Sequence, residues 1–200
     1  MQEPYFVPWL GTNYSKHRTV ILSESTYDWK EGRKWCTPQP DHFGWSVERI
    51  IHEWDHARYF LRLTEALCEA RKPTPEQREA RWNDFAYSIY VQKSVGNGVK
   101  SRPKKAHWDA ARVLFPGQIG EIHPKPRKLI ITGLQAWRNM QEAQIQLTPE
   151  IQAYDFGDEL LWCLAVPHPA NHAKGGGFRF KEVGMSIRVF METSFPQKMD

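Results

Sequence analysis

The sequence predicts an α/β domain built on a parallel sheet, and three stretches carry that expectation. Thr19-Val20-Ile21-Leu22 is short, aliphatic and β-branched, and runs straight into the polar turn Ser23-Glu24-Ser25-Thr26-Tyr27-Asp28. This is the pattern of a buried parallel strand whose carboxyl end opens onto a crevice. Leu160-Leu161-Trp162-Cys163-Leu164-Ala165-Val166 repeats it and ends in Pro167-His168-Pro169. Leu129-Ile130-Ile131-Thr132-Gly133 is a third such strand, followed at once by a helical stretch from Leu134 to Ala143. Strand, glycine, helix is the βα unit of a doubly wound sheet. Ligands in open α/β sheets sit beyond the carboxyl ends of the strands. If the first two strands share one sheet, the Glu24 carboxylate, the Ser25 hydroxyl and the His168 imidazole converge at one rim.

Composition sets outer bounds. The 200 residues, 40% hydrophobic and 13% aromatic, suffice for one domain with a sizeable core over 1–200 and show no obvious linker. No apolar run approaches the ~18 residues that cross a bilayer, and no charged start leads into an apolar signal core. A cytoplasmic protein without membrane association is expected. Cys36, Cys68 and Cys163 are odd in number and far apart, which supports neither a disulfide framework nor a four-cysteine metal cluster. No cofactor is expected, and the chain is read as a monomer. A net charge of +4 is compatible with a polyanionic partner without identifying one.

From the amino end, Pro4 to Tyr14 reads as an extended arm with Gly11 and Asn13 as turn residues. Trp29 to Trp45, punctuated by Gly32, Pro38, Pro40 and Gly44, reads as a long loop beside a strand end. Ser46 caps an amphipathic stretch reaching Cys68, and Lys72-Pro73 ends it. Thr74-Pro75-Glu76-Gln77 restarts helix. Ala86 to Val95 fits a short strand or a buried helix end, with strand preferred. That makes four strands in all. Gly96 to Lys105 holds Lys100, Arg102, Lys104 and Lys105 and reads either as a solvated turn or as a grip on phosphates. His107 to Ile122 reads as helix, Asn171 to Phe178 as a glycine-rich loop, and Phe180 to Met191 as a closing helix.

His52-Glu53-Trp54-Asp55-His56 fits H-E-x-x-H, in which two histidines one helical turn apart bind zinc and the glutamate activates water. No third ligand stands at the expected spacing, and Asp55 shares the helix face that would bury the metal. A pair of surface histidines is the preferred reading, and no metal is expected.

Pro8-Trp9-Leu10-Gly11, Tyr14, the strand and turn from Val20 to Tyr27, Lys128-Leu129-Ile130-Ile131-Thr132-Gly133-Leu134-Gln135-Ala136-Trp137, and Pro167-His168-Pro169-Ala170 follow one another in a familiar order. Together they resemble the uracil-DNA glycosylase-like superfamily, especially its poorly characterised bacterial branch. The resemblance implies a three-layer α/β/α sandwich around a central, mostly parallel sheet, here of four strands. It also implies DNA as the partner, a nucleotide flipped out of it, and hydrolysis of that nucleotide's N-glycosidic bond. Ser23-Glu24-Ser25-Thr26-Tyr27 matches the water-activating motif, with Glu24 as its acid, Ser25 where the uracil-specific family has aspartate, and Tyr27 shaping the base pocket. His168 matches the histidine that stabilises charge on the departing base. Asn171, His172, Lys174 and Phe178 fall where the superfamily inserts a side chain into the duplex, and Arg179 follows. An asparagine that reads pyrimidine edges would stand near Tyr87-Ser88-Ile89-Tyr90; none does, so Ser88 is the pocket candidate there and a modified or bulky base replaces uracil as the expected substrate. A bacterial or phage setting, in repair or in attack on modified foreign DNA, extends the same reading.

The chemistry is consistent on its own terms. Breaking an N-glycosidic bond creates cationic character at the sugar and anionic character on the base, so a site needs a carboxylate near one and a donor near the other. Glu24 and His168 are of those types, with Asp28 as a reserve acid. Tyr27, Trp29 and Phe43 are candidate stacking partners for the base. Lys100, Arg102 and Lys104 are candidate phosphate contacts. Two other classes stay open: a non-enzymatic nucleic-acid or nucleotide binder of the same fold, and an ester hydrolase with Ser25 as nucleophile. The second lacks the Gly-x-Ser-x-Gly elbow.

Overall fold

Thr19–Ser23 is buried along its whole length, as its run of aliphatic and β-branched side chains requires, and is an interior strand of the main sheet. The computed structural model describes residues 6–54, 57–98, 100–157, 159–170 and 178–196. In chain order its first elements are β1 (Trp9–Leu10), α1 (Tyr14–His17), β2 (Thr19–Ser23), β3 (Thr26–Glu31), β4 (Lys34–Cys36), α2 (His42–His52), α3 (Arg58–Leu67) and α4 (Pro75–Trp82). There follow β5 (Phe85–Ile89), β6 (Ser94–Asn97), α5 (Lys105–Gly120), β7 (Lys128–Thr132), α6 (Leu134–Asn139), β8 (Ile145–Thr148), β9 (Ile151–Asp155), β10 (Leu160–Val166) and α7 (Phe180–Glu192).

The main sheet has the order β1-β5-β2-β7-β10-β9-β8. Its centre, β5-β2-β7-β10, is parallel, and antiparallel strands flank it on both sides. The sheet therefore has seven strands rather than the expected four, because β1 adds an edge and the hairpin β8–β9 extends the other. Alternate side chains feed two cores. Ile21 and Ile130 face Val47, Leu63, Trp82 and Ile187 of α2, α3, α4 and α7. Val20, Leu22 and Ile131 face Trp108 and Phe115 of α5 and Ala136 of α6.

Three other expectations are corrected. Residues 29–45 are not one loop: β3 and β4 form a hairpin closed by Gly32-Arg33, with Gly32 at φ +59°, and α2 begins at His42. Beside them β6 pairs with β3 to complete a second, three-stranded sheet, β4-β3-β6. The amphipathic stretch to Cys68 is two helices, α2 and α3, rather than one. Arg78, 5% exposed on α4, explains the stop. Its guanidinium donates to the carbonyls of Ile51 at 2.7 Å, Pro73 at 2.9 Å and His52 at 3.3 Å, satisfying groups that a longer helix would have used itself. The helix after Gly133 ends at Asn139, short of Ala143. The α4 start agrees with expectation: Thr74 and Gln77 form a capping box with Pro75 in the first turn.

Helices α3 and α7 cross with backbones in near contact, since a Cβ at Gly184 would lie 2.3 Å from the Ala66 carbonyl oxygen. Gly184→Ala should therefore destabilise the domain by about 1–3 kcal/mol. The thermal unfolding midpoint should fall by at least about 2 °C, and an unchanged midpoint would show that the crossing can relax.

Candidate active site

The register of the parallel strands builds the site. Ser23 of β2 is level with Thr132 of β7, and Thr132 with Val166 of β10, so the chain leaves the sheet at one height three times over. The residues that follow are Glu24, Gly133 and the Pro167-His168 pair. Gly133 is the point of closest approach. A Cβ on it would lie 3.4 Å from Glu24 Oε2 and 3.5 Å from His168 Cδ2, in contact with both, so acid and imidazole converge on this one position. Its φ of +131° is what requires glycine there.

Each side chain is held from below. The Ser23 and Glu24 carbonyls accept the Tyr90 and Val91 N–H groups at 2.8 and 3.1 Å, pinning the turn to the end of β5. His168 Nδ1 accepts the Ala170 N–H at 3.2 Å, so the neutral ring carries its proton on Nε2. Beneath them lies a layer of hydroxyls. Thr132 donates to the Leu22 carbonyl at 3.3 Å and accepts from Tyr59 at 2.6 Å, while Tyr87 donates to Ser23 Oγ at 2.9 Å.

Tyr59 was not visible in the sequence as a site residue. It stands in the first turn of α3 with its ring 5.3 Å from the His168 ring, and burial pushes its phenol up to about 12, so it stays a donor. The break before α3 contains no glycine or proline that would have announced it; Trp54 there takes φ +52°.

Electrostatics set the protonation states. Burial raises the Glu24 carboxyl above its ordinary value, and the Arg102 guanidinium partly opposes that shift. Burial lowers His168, and Arg102 lowers it further. Tyr27 is raised by burial and feels the same cation. Arg102, expected as a phosphate contact on a basic loop, is thus brought beside the acid and the histidine.

Other candidates lie elsewhere. Ser25 is half-buried in the turn between β2 and β3. Asp28 is on β3 opposite Asn97, and its buried Oδ1 has no hydrogen-bond partner among the described residues. Trp29 is stacked on His42 at 5.1 Å. Phe43 is a core residue, 4% exposed between Phe6 and Tyr87, because α2 begins early enough to turn it inward. Ser88 is also buried, bonded to the Gln118 amide of α5 at 2.8 Å. Phe178, expected to reach DNA, is 7% exposed and packs in the core. Arg179 precedes α7 and pairs with Glu182 at 2.9 Å. Lys100 is exposed, and Lys104 caps α5 with its backbone N–H donating to His107 Nδ1 at 3.0 Å. Asn171, His172 and Lys174 lie outside the described residues.

The zinc motif loses its helix. α2 ends at His52, Glu53 is its cap, and His52 pairs with Glu48 at 3.5 Å; His56 lies outside the described residues. Among the described residues no group of three or more His, Cys, Asp or Glu could hold a metal. Among them, too, no helix is long and apolar enough to cross a membrane. A cavity of about 220 Å³ bordered by His17, Asp84 and Gly184 lies at the amino ends of the strands, away from Glu24 and His168.

Two consequences can be measured. Arg102→Ala should raise the His168 pKa, by removing a repelling charge, and raise Glu24, by removing an attracting one; proton NMR titration of the imidazole reads the first directly. Because the folded state holds the Glu24 proton more tightly than the unfolded chain, the carboxyl's contribution to stability is present at low pH and lost as pH rises through its raised value. Glu24→Gln should accordingly raise the melting temperature near neutral pH, with the gain vanishing in acid. Neither a family model nor a curated protein matches the chain.

Proposed function

We propose that the protein is a DNA glycosylase that hydrolyses the N-glycosidic bond of a flipped-out, modified base and leaves an abasic site. The observation that carries this reading is the placement of Glu24 and His168 on either side of Gly133 at the strand ends. A carboxylate and a neutral imidazole so placed can address opposite ends of one scissile bond.

Burial leaves the Glu24 carboxylate poorly solvated. It is then a stronger base toward water and a stronger partner for a sugar developing positive charge. His168 is held neutral with its proton on Nε2, suited to donate to the base as negative charge accumulates there. Tyr59 packs against the imidazole, with the ring centroids 5.3 Å apart. Arg102 and Lys100 supply cations for the flanking phosphates. Helices packed on both faces of the sheet are consistent with the three-layer arrangement that the resemblance implies. The pyrimidine-reading asparagine is absent from Tyr87 to Tyr90, which favours a base other than uracil.

A non-catalytic nucleic-acid binder is the second reading, favoured by Ser25 where the uracil-specific family has aspartate. Alkali-labile abasic sites, scored across a panel of base-modified DNAs, separate the two. Glycosylase activity should appear on at least one substrate and fall by about 10²–10³-fold in His168→Ala, with a loss of similar order in Glu24→Gln. Undiminished cleavage in both variants would remove the site assignment, and DNA affinity without any abasic product would favour the binder.

A further inference from the structure

A buried hydroxyl costs free energy unless it is paired, and an aliphatic side chain of similar size fills an apolar core without that cost. The hydroxyls gathered near the carboxyl ends of β2, β5 and β7 therefore call for a reason beyond packing. Ser23, Tyr87 and Thr132 are 4%, 1% and 0% exposed, on the face of the sheet that Ile21 and Ile130 share. Tyr59 of α3 is what they have in common. Its hydroxyl is 2.6 Å from Thr132 Oγ1 and is bonded to the Tyr87 and Ser23 hydroxyls as well. Thr132 is tied in turn to the Leu22 carbonyl at 3.3 Å, which moors the phenol to two parallel strands. The mooring lies at the level where Glu24, Gly133 and the Pro167-His168 pair leave the sheet.

That anchorage decides what the ring can touch. The Phe60 ring lies 5.1 Å away at 85°, and the His168 ring lies 5.3 Å away at 53°. The residue as a whole is half-buried, so its ring stands at the boundary between core and rim. His168 already uses Nδ1 to accept the Ala170 N–H at 3.2 Å, which leaves Nε2 to meet a ligand.

Taking Glu24 and His168 as the reacting pair, which rests on the function proposed above, we infer that Tyr59 is a positioning residue for that reaction. Moored through its hydroxyl, its ring shields one side of His168 from water and keeps the imidazole an uncharged donor for the departing base. Water on that side would solvate the imidazolium and so favour it. The charged and titratable groups about the imidazole are Glu24 across Gly133, Arg102, and the Tyr59 phenol itself. Arg102 disfavours the imidazolium, as burial does, whereas an ionised Glu24 favours it. The neutral form persists against that carboxylate only where shielding is sufficient.

NMR titration of the His168 ring, its resonance identified by loss in His168→Gln, tests this in the free protein. Tyr59→Ala should raise the His168 pKa by about one unit toward its ordinary value. Tyr59→Phe, which keeps the ring and loses the mooring, should hold it within about 0.3 units. Abasic-site release should drop about tenfold in Tyr59→Ala and be largely kept in Tyr59→Phe. Cooperative melting checks the fold of each variant. In the unaltered protein the Tyr59 ring protons should show nuclear Overhauser contacts with the His168 ring, a requirement that holds even if Tyr59→Ala does not fold. Absence of those contacts would overturn the inference, as would a His168 pKa unmoved or lowered in Tyr59→Ala, or a phenylalanine shift as large as the alanine one. Undiminished abasic-site release in Tyr59→Ala would do the same. The titration needs no DNA, so the two readings fail separately: the expected shift without abasic product from any substrate would sink the glycosylase reading and leave the shielding of His168 intact.

Discussion

The parallel pairing of β2, β7 and β10 in a common register is the constraint on which the rest of the molecule depends. A slip of one residue in either ladder would turn every side chain of a strand to the opposite core. Both cores are closely packed, so such a slip would set each side chain among neighbours of the wrong size and shape, and it is this fit that holds the register. What it delivers is a level rim from which three turns depart side by side. Gly133 then contributes through its backbone: a φ that other residues avoid turns the chain between the Glu24 and His168 turns, both of which come within contact of it.

The rim is electrostatically uncomfortable, and that discomfort is informative. An acid raised and an imidazole lowered by the same burial are both driven toward neutrality, which costs folding free energy rather than adding to it. Structural carboxylates in this protein behave in the opposite way; Glu159, bonded to Arg127 and Arg18, is held below its ordinary value. Groups that destabilise where neighbours could have satisfied them are the kind found at sites of chemistry. Arg102 moderates the acid and sharpens the histidine at once, a coupling that a single cation can exert only when both lie near it.

Much of the fold was legible because the central strands are continuous aliphatic runs, and because Gly133 and Thr74-Pro75 are unambiguous punctuation. Glu24 and His168 could be singled out because each ends such a run. The peripheral strands were harder. Ile145, Leu147, Ile151 and Ala153 alternate with polar residues on a half-exposed hairpin, a weak signal beside the core strands. The division of α2 from α3 was invisible for a different reason. It is imposed by Arg78, a residue more than twenty positions downstream, and no local pattern records a tertiary contact. Phe43, Ser88 and Phe178 stand near motifs that suggest a pocket or DNA, yet their burial follows from helices whose starts and faces only the packed structure defines.

That buried guanidinium also links two parts of the molecule that share no chemistry. Arg78 caps the carbonyls that end one helix, and the helix that follows carries Tyr59, whose ring lies 5.3 Å from that of His168 at a tilt of 53°. Trp54, between the two helices, packs against the core with the same guanidinium 5.3 Å from its ring, so a change at either position is felt at the bend.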